Sequence, residues 1–352
     1  MNGDNKIEAT DVNIKSITKM PTPDELKEMY PLSQEVFEKV VYSSREAIKS
    51  IISGEDKRFL VFVGPCSIHN VEEAYEYAKR LKNLQAVFGD KILIVMRVCL
   101  DKPRSGRGWA GFFQDPGLNQ SRNIDEGWKK GRELLIKILE LGIPVSMELL
   151  DADACQNVDD CISYWWIGAR TVTSQRLREI ASGLSTPVGF KNPTNGKIAD
   201  AIDAMETAWH EAAFIATSGN GNRCEYRTYG NKYSNLILRG SDSGPNYGPE
   251  HVADAVAKLV HRNLPSRILI DVSHANSGKD YRKQREVIAD IGKRVAAGES
   301  YIAGFLYESY LEEGNQKLPK NVSDIKPNIS VTDGCDSFET TQQQLQSLYE
   351  IL

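Results

Sequence analysis

Eight short apolar runs in this chain lead into side chains that could do chemistry. Residues 59–64 run into Pro65-Cys66, 92–96 end at Arg97, 144–147 at Glu148 and 166–169 at Arg170. Residues 188–190 end at Lys191, 236–238 at Arg239, 268–273 at His274 and 302–307 at Glu308. The inventory is a thiol, an imidazole, carboxylates and cations, which suits one divalent metal beside a phosphorylated, acidic substrate. Cys66, His274, Glu308 and Asp333 (in Ser330-Val-Thr-Asp-Gly) are the candidate metal ligands. One sulfur, one nitrogen and two oxygens fit Mn, Fe, Co or Zn and are too soft for Mg or Ca alone. The Gly64-Pro65 pair gives a tight turn that can aim the Cys66 thiolate. Arg97, Lys102, Arg104, Arg170, Lys191 and Arg239 lie at or just after the ends of such runs. Arginine grips carboxylate or phosphate with two parallel hydrogen bonds, and lysine acts as a point charge. Aimed into one place, these cations repel unless they share an anion. Glu148 among them can orient cations or water.

Side chains at the ends of eight strands meet in one place when the strands close into a (β/α)8 barrel, whose active sites sit at the C-terminal mouth. The intervening sequence supports that architecture. Residues 34–53, ending at Gly54, have helical periodicity, as do 71–88, 128–141, 199–208, 249–263 and 280–297. Strand and helix in alternation imply a parallel sheet with helical crossovers. A barrel needs about 250 residues, so 352 residues fit one catalytic domain over 1–352 with extensions. The extensions are a polar N-terminal arm with Pro21, Pro23 and Pro31 and a first helix, together spanning 1–55, and an insertion at 211–230. In the insertion a ninth apolar run, 212–217, is followed by Ser218-Gly-Asn-Gly-Asn and by 224–229, the pattern of a β-hairpin. An inserted hairpin serves regulation or assembly, or is a surface decoration.

Bulk properties exclude several classes of function. A net charge of −5 argues against nucleic acid as the main partner. No apolar run approaches the roughly 20 residues of a membrane span. The start, Met-Asn-Gly-Asp-Asn-Lys, is polar with no secretory apolar segment, so a cytoplasmic location is expected. The six cysteines have no CxxC spacing, and Cys99, Cys155, Cys161 and Cys224 read as small buried hydrophobes. Asn321-Val-Ser and Asn328-Ile-Ser match the glycosylation pattern by chance.

Longer motifs surround the same residues. Gly64-Pro-Cys-Ser-Ile-His, Met96-Arg-Val, Lys102-Pro-Arg-Ser and Ile167-Gly-Ala-Arg-Thr occur in that order. They are followed by Ala181-Ser-Gly-Leu-Ser-Thr-Pro-Val-Gly-Phe-Lys-Asn, Ile237-Leu-Arg-Gly, Asp271-Val-Ser-His-Ala-Asn, Glu308-Ser and Glu313-Gly-Asn-Gln. From about residue 12 onward the chain resembles the type I 3-deoxy-D-arabino-heptulosonate 7-phosphate (DAHP) synthases, in the subgroup regulated by aromatic amino acids. The resemblance implies a metal-dependent condensation of phosphoenolpyruvate with erythrose 4-phosphate, releasing phosphate, at the entry to the shikimate pathway. It assigns phosphoenolpyruvate to Arg97, Lys102, Glu148, Gly168, Ala169, Arg170, Lys191 and Arg239, and erythrose 4-phosphate to Lys102, Pro103, Arg104 and Ser105. It assigns the metal to Cys66, His274, Glu308 and Asp333, with Lys102, Cys66 and His274 as the catalytic set. Such enzymes are dimers or tetramers that use the N-terminal arm at the interface, so a homo-oligomer is implied.

The chain departs from the family pattern at several points. Lys-Pro-Arg-Thr becomes Lys102-Pro-Arg-Ser105, which keeps the hydroxyl. Gly-Glu-Phe-Leu-Asp becomes Met147-Glu-Leu-Leu-Asp, Thr-Glu-Ser becomes Val172-Thr-Ser, and the hairpin carries Ala216-Thr217-Ser218-Gly219. These changes lie in and near the region where relatives bind an inhibitory aromatic amino acid. Positions Leu149, Gln156, Leu184, Ser185, Phe214 and Ala216 match that effector pocket, and Ala216 selects neither phenylalanine nor tyrosine. Two other readings follow from the departures: a paralogous synthase with a different aldose phosphate, serving a secondary-metabolite pathway, and a non-catalytic regulatory paralog. The second would have lost a ligand or a phosphate-binding cation, and the motifs retain all of them. The related 3-deoxy-octulosonate 8-phosphate synthases lack the combination of Lys102-Pro-Arg-Ser, hairpin and long arm.

Overall fold

Branched and aromatic residues dominate runs just long enough to cross a sheet once, and in the folded chain they are strands. The computed structural model describes residues 10–104 and 106–352. In chain order its strands are β1 (Phe59–Gly64), β2 (Ile92–Arg97), β3 (Val145–Glu148), β4 (Tyr164–Ile167) and β5 (Val188–Lys191). They continue with β6 (Ala213–Thr217), β7 (Arg223–Arg227), β8 (Ser234–Leu238), β9 (Ile268–Asp271) and β10 (Ile302–Glu308). Eight strands close a barrel in the order β1-β10-β9-β8-β5-β4-β3-β2, every neighbouring pair parallel. The remaining pair, β6 and β7, forms a separate antiparallel hairpin inside the expected insertion.

The barrel strands are buried on both faces, and their alternate residues divide between two clusters. Val61, Val63, Ile94, Met96 and Trp165 pack outward with the helices. Leu60, Phe62, Leu93, Val95, Tyr164, Trp166, Ile237 and Leu269 pack together in the barrel interior. Ile48, Ile51 and Ile52 of the helix Ser43–Ser53 join that inner cluster, so the first long helix plugs the barrel end opposite the mouth. That helix continues a segment which starts at Gln34 and passes through a π-helical stretch at Phe37–Tyr42. It ends at Gly54, whose φ of 86° lies in the left-handed region that glycine adopts without a Cβ clash.

Differences from the sequence reading have local causes. Thr22-Pro-Asp-Glu25 makes a reciprocal capping box with Pro23 at the first helical position, so part of the arm is a helix, Pro23–Met29. Asp24 N donates to Gly219 O at 2.8 Å, which fastens this helix to the hairpin turn. Short helices at Ala152–Val158 and Gln175–Ala181 are too brief for periodicity to announce them, and the C-terminal helix Phe338–Ile351, which buries Phe338, Thr341, Leu345 and Leu348 on one face, lies outside the helices expected from the sequence. β4 starts two residues before the expected run and stops at Ile167, because Gly168 O turns back to accept from Thr171 N and Val172 N. β9 stops at Asp271, and His274 follows in a 3-10 turn. No helix among the described residues is long and apolar enough to cross a membrane.

Closure joins the first barrel strand to the last. The β10–β9 register shifts between Ile302 and Gly304, and a Cβ on Gly304 would collide with the Leu60 carbonyl of β1. Gly304→Ala is therefore expected to lower unfolding free energy by about 3 kcal/mol, read as a drop in the urea midpoint. An unchanged midpoint would show that the closing strand pair yields freely.

Candidate active site

Gly64 ends β1 where a Cβ would lie 2.6 Å from Arg97 O, so glycine lets the two strand ends touch. Cys66 follows and is fully buried. Lys102 Nζ donates to Cys66 O at 2.9 Å and lies 3.3 Å from its Sγ. Ligand atoms of Cys66, Glu308 and Asp333 all fall within 4.8 Å of one another. Burial, then the charges of Glu308 and Asp333, push the Cys66 thiol up to about 12, with Lys102 pulling the other way. A thiol and two carboxylates held this close gain from a cation between them, and the donors suit a borderline divalent ion. The residues present thus fit a metal.

His274 is not a member of that tight group, but it lines one cavity of about 370 Å³ with Glu308 and Asp333. Its backbone has a φ of 54°, a left-handed conformation that turns the ring out of the strand line. Its Nδ1 lies 2.9 Å from Asp271 Oδ2 and 3.0 Å from Ser273 Oγ. Asp271 thus orients the imidazole and leaves Nε2 for a ligand, the arrangement of a carboxylate behind a metal-binding histidine. Burial works to raise the Asp271 pKa, yet His274 and Lys191 hold it well below the usual carboxylate range.

The cations converge on the same mouth. Arg97 is 2% exposed and its Nη2 donates to Glu308 Oε1 at 3.0 Å. Its Nε and Nη1 are buried with no hydrogen-bond partner. Unpaired buried donors cost about 1–3 kcal/mol each, so an anion within their reach would relieve that cost. Lys191 Nζ pairs with Asp271 Oδ2 at 2.6 Å. Arg239 is buried, and its backbone N donates to Asn192 Oδ1 at 2.9 Å. Burial, with the positive charge of Arg170 adding to it, pulls the Arg239 guanidinium below its usual range. Arg170 itself is exposed and Ala169 half-buried. Glu148 lies over Gly168, where any Cβ would meet its Oε1. Burial of Lys102 opposes its charge, but Cys66, Cys99, Glu308 and Glu148 raise its pKa, so its ammonium stays protonated. Pro103 is half-buried, Arg104 is exposed with its guanidinium over Gly108, and Ser105 lies outside the described residues.

Three residues of this site escaped the sequence reading. Asp271 was hidden inside a run that ended nominally at His274. Cys335 approaches Cys66, whose backbone N donates to its Sγ at 3.4 Å. Trp166 lies beneath Arg97 and Lys191, at 5.1 and 5.7 Å from ring centroid to charge. The signal for Trp166 was period-two alternation in Tyr164-Trp165-Trp166: Trp165 faces outward and donates to Asp159 Oδ1 at 2.9 Å, so Trp166 must face inward.

The positions matched to an effector pocket divide. Gln156, Leu184 and Phe214 line one cavity of about 570 Å³ beside the hairpin, together with Arg45, Asp160 and Tyr226. Leu149, Ser185 and Ala216 are not on its wall; Leu149 is fully buried, Ser185 exposed and Ala216 buried. Among the cysteines read as buried hydrophobes, Cys99, Cys155 and Cys161 are buried and Cys224, on the hairpin, is half-buried.

Residues 30–346 match the model of the DAHP synthetase I family. The chain belongs to that family. It is 40% identical over 348 residues to the Tyr-sensitive phospho-2-dehydro-3-deoxyheptonate aldolase of Escherichia coli K12, covering 99% of this chain and 96% of that one. It is 41% identical over 332 residues to the Trp-sensitive enzyme of the same strain, covering 94% of each. The structure of the aldolase from Francisella tularensis SCHU S4 superposes with a TM-score of 0.93 at 42% identity, covering 96% of this chain and 98% of that one. Identity to the Tyr-sensitive and the Trp-sensitive member of the DAHP synthetase I family is thus nearly equal.

Asp101 stands at the foot of the Lys102 segment and has a measurable consequence for pH. Burial, then the charge of Asp151, raise its carboxyl from 3.8 to about 6. A carboxyl with a raised folded-state pKa costs stability as pH climbs from the unfolded value to the folded one, and the full cost persists above it. Asp101→Asn keeps an oxygen to accept from Lys102 N, 3.1 Å away. It is expected to stabilise by roughly 1–3 kcal/mol at pH 8 and by almost nothing below about pH 4. Melting temperatures across that range check it; an equal gain at both ends contradicts it.

Proposed function

We propose that this chain is a working DAHP synthase: it condenses phosphoenolpyruvate with erythrose 4-phosphate and water to give DAHP and phosphate, the first step of the shikimate pathway. The observation that carries the reading is Arg97, with two buried unpaired donors, set against the Cys66–Glu308–Asp333 group. An anion acceptor and a metal-binding set thus share one mouth. In this reading Arg97, Lys102, Glu148, Gly168, Ala169, Arg170, Lys191 and Arg239 surround phosphoenolpyruvate, and Lys102, Pro103, Arg104 and Ser105 hold the aldose phosphate. Cys66, His274, Glu308 and Asp333 would hold one divalent ion, which when bound supplies Lewis acidity toward the aldehyde oxygen.

The chain's own residues account for the rest. C3 of phosphoenolpyruvate forms a bond to the aldehyde carbon, and protonated Lys102 gives the nascent alkoxide a proton. Water adds at C2 and phosphate leaves, while Arg170, Lys191 and Arg239 balance the carboxylate and phosphate charges through both steps. Glu148, over Gly168, is placed to orient the attacking water.

The cavity beside the hairpin supports a regulatory reading. Phe214 stacks on Tyr226 with ring centroids 5.5 Å apart, and charged Arg45 and Asp160 share the cavity with them. An aromatic wall with both charge signs suits an aromatic amino acid, in line with the Tyr- and Trp-sensitive relatives. The arm supports self-association: Val12, Ile14 and Ile17 are 67%, 54% and 85% exposed, an apolar strip that the described residues leave uncovered.

Phosphate release from phosphoenolpyruvate, assayed in metal-reconstituted protein with erythrose 4-phosphate and a chelator control, tests the activity. Fast, chelator-sensitive turnover is expected. Cys66→Ala is expected to abolish turnover and to lose the metal counted by elemental analysis; full activity in that variant would sink the metal assignment. No turnover in wild type, with phosphoenolpyruvate still bound, would favour another aldose acceptor. Light scattering is expected to give a dimer or tetramer, shifted toward smaller species by Ile17→Asp; a monomeric wild type contradicts the role given to the arm.

A further inference from the structure

Trp166 has no part in the reaction as described, yet it is among the largest fully buried side chains and is 1% exposed. It lies on β4, in register with Glu148 of β3 and Gly189 of β5. Below it the inner cluster supplies Phe62, Val95 and Tyr164, so its ring is a floor that cannot drop away. Above it are two cations from different strands, Arg97 of β2 and Lys191 of β5, at 5.1 and 5.7 Å. Each already has one carboxylate partner, Glu308 and Asp271 respectively. If Glu308 also serves a metal, it has less charge to give Arg97.

The floor under such a pair has to meet two demands. It must ease the repulsion between the cations, and it must leave their N–H donors free for a substrate. A carboxylate would meet the first and fail the second, because it would occupy the guanidinium fork. An aliphatic side chain would do the reverse. An indole face attracts cations through its quadrupole and takes no strong hydrogen bond from them. This matches Arg97, which keeps Nε and Nη1 buried and unpaired.

We propose that Trp166 is a positioning residue for phosphoenolpyruvate, its ring face holding Arg97 and Lys191 so that one substrate anion can draw donors from both. The proposal rests on the assignment of those two cations to phosphoenolpyruvate.

Calorimetric titration of phosphoenolpyruvate into the metal-loaded protein, with KM for each substrate, tests it in Trp166→Leu and Trp166→Phe. Both variants remove volume and lower the melting temperature, but only Trp166→Phe keeps a ring face. Trp166→Leu is expected to weaken phosphoenolpyruvate binding by about tenfold or more, with the KM for erythrose 4-phosphate unmoved and most of the loss recovered in Trp166→Phe. Equal affinity in the two variants, or wild-type affinity in Trp166→Leu, overturns the proposal and reduces Trp166 to filling space. In the wild type, the near-ultraviolet circular dichroism of tryptophan is expected to change in step with phosphoenolpyruvate saturation; no change also overturns it, whether or not the variants fold. Arg97→Ala and Lys191→Ala provide the separate control. If both bind phosphoenolpyruvate as wild type does, the anion sits elsewhere and the underlying assignment fails along with this inference.

Discussion

Like charges brought together in a low-dielectric space are the constraint on which this structure turns. The mouth of the barrel gathers guanidinium and ammonium groups that a folded chain would ordinarily spread over its surface. Two buried pairs, Arg97 with Glu308 and Lys191 with Asp271, make the gathering tolerable. Neither pair neutralises its cation completely, because each carboxylate faces a second neighbour. Glu308 belongs to the Cys66–Asp333 group, and Asp271 also holds His274. Breaking one member of such a buried pair typically costs 3–5 kcal/mol, since it strands the other charge. The cations, the metal-binding group and the histidine support are therefore one electrostatic unit. It is left short of negative charge on the anion side and short of positive charge between the thiol and carboxylates, so an anion on the first side and a cation on the second would complete it.

The barrel makes that unit possible by fixing strand ends, not loops. Arg97, Lys191 and Glu308 are the terminal residues of their strands, so their backbones are pinned by neighbours on either side. The two sets of alternate residues then divide the work: the outward set fastens helices, and the inward set ends in a hard aromatic and aliphatic floor. Segments carrying Lys102 and Asp333 lie beyond the strands. Asp333 is accordingly the exposed member of its group, and Lys102 is half-buried.

Much of this was legible in the residues because strand-end chemistry and strand hydrophobicity are local signals. The helix Val71–Phe88 was readable to its bounds because its apolar periodicity begins behind an Asn70 cap. Asp271 was not readable as a site residue: an acid within an apolar run declares itself only once Lys191 from a strand far along the chain is seen to face it. His274 stands outside the tight ligand group and has a left-handed backbone angle, neither of which periodicity encodes. Cys335 likewise gains its meaning from a contact with Cys66, which is far from it in the chain. All six effector-pocket positions were placed by family position, and of these Gln156, Leu184 and Phe214 line the cavity beside the hairpin.

The pairing of β1 with β10 has a consequence for how the chain is made. Residues near the start of the barrel find their last partner only when residues near its end are available. Contacts of such long sequence separation slow folding, because loop-closure entropy is lost before the contact rewards it. During synthesis, then, Leu60 and Phe62 must wait with one edge unpaired while most of the chain is still being added. The helix Ser43–Ser53 is the one large apolar element already made by that time, and its Ile48, Ile51 and Ile52 are the residues that pack on the same inner cluster. The plug at the closed end of the barrel thus doubles as an early cover for apolar side chains of β1 that would otherwise invite aggregation while the strand waits for its last partner.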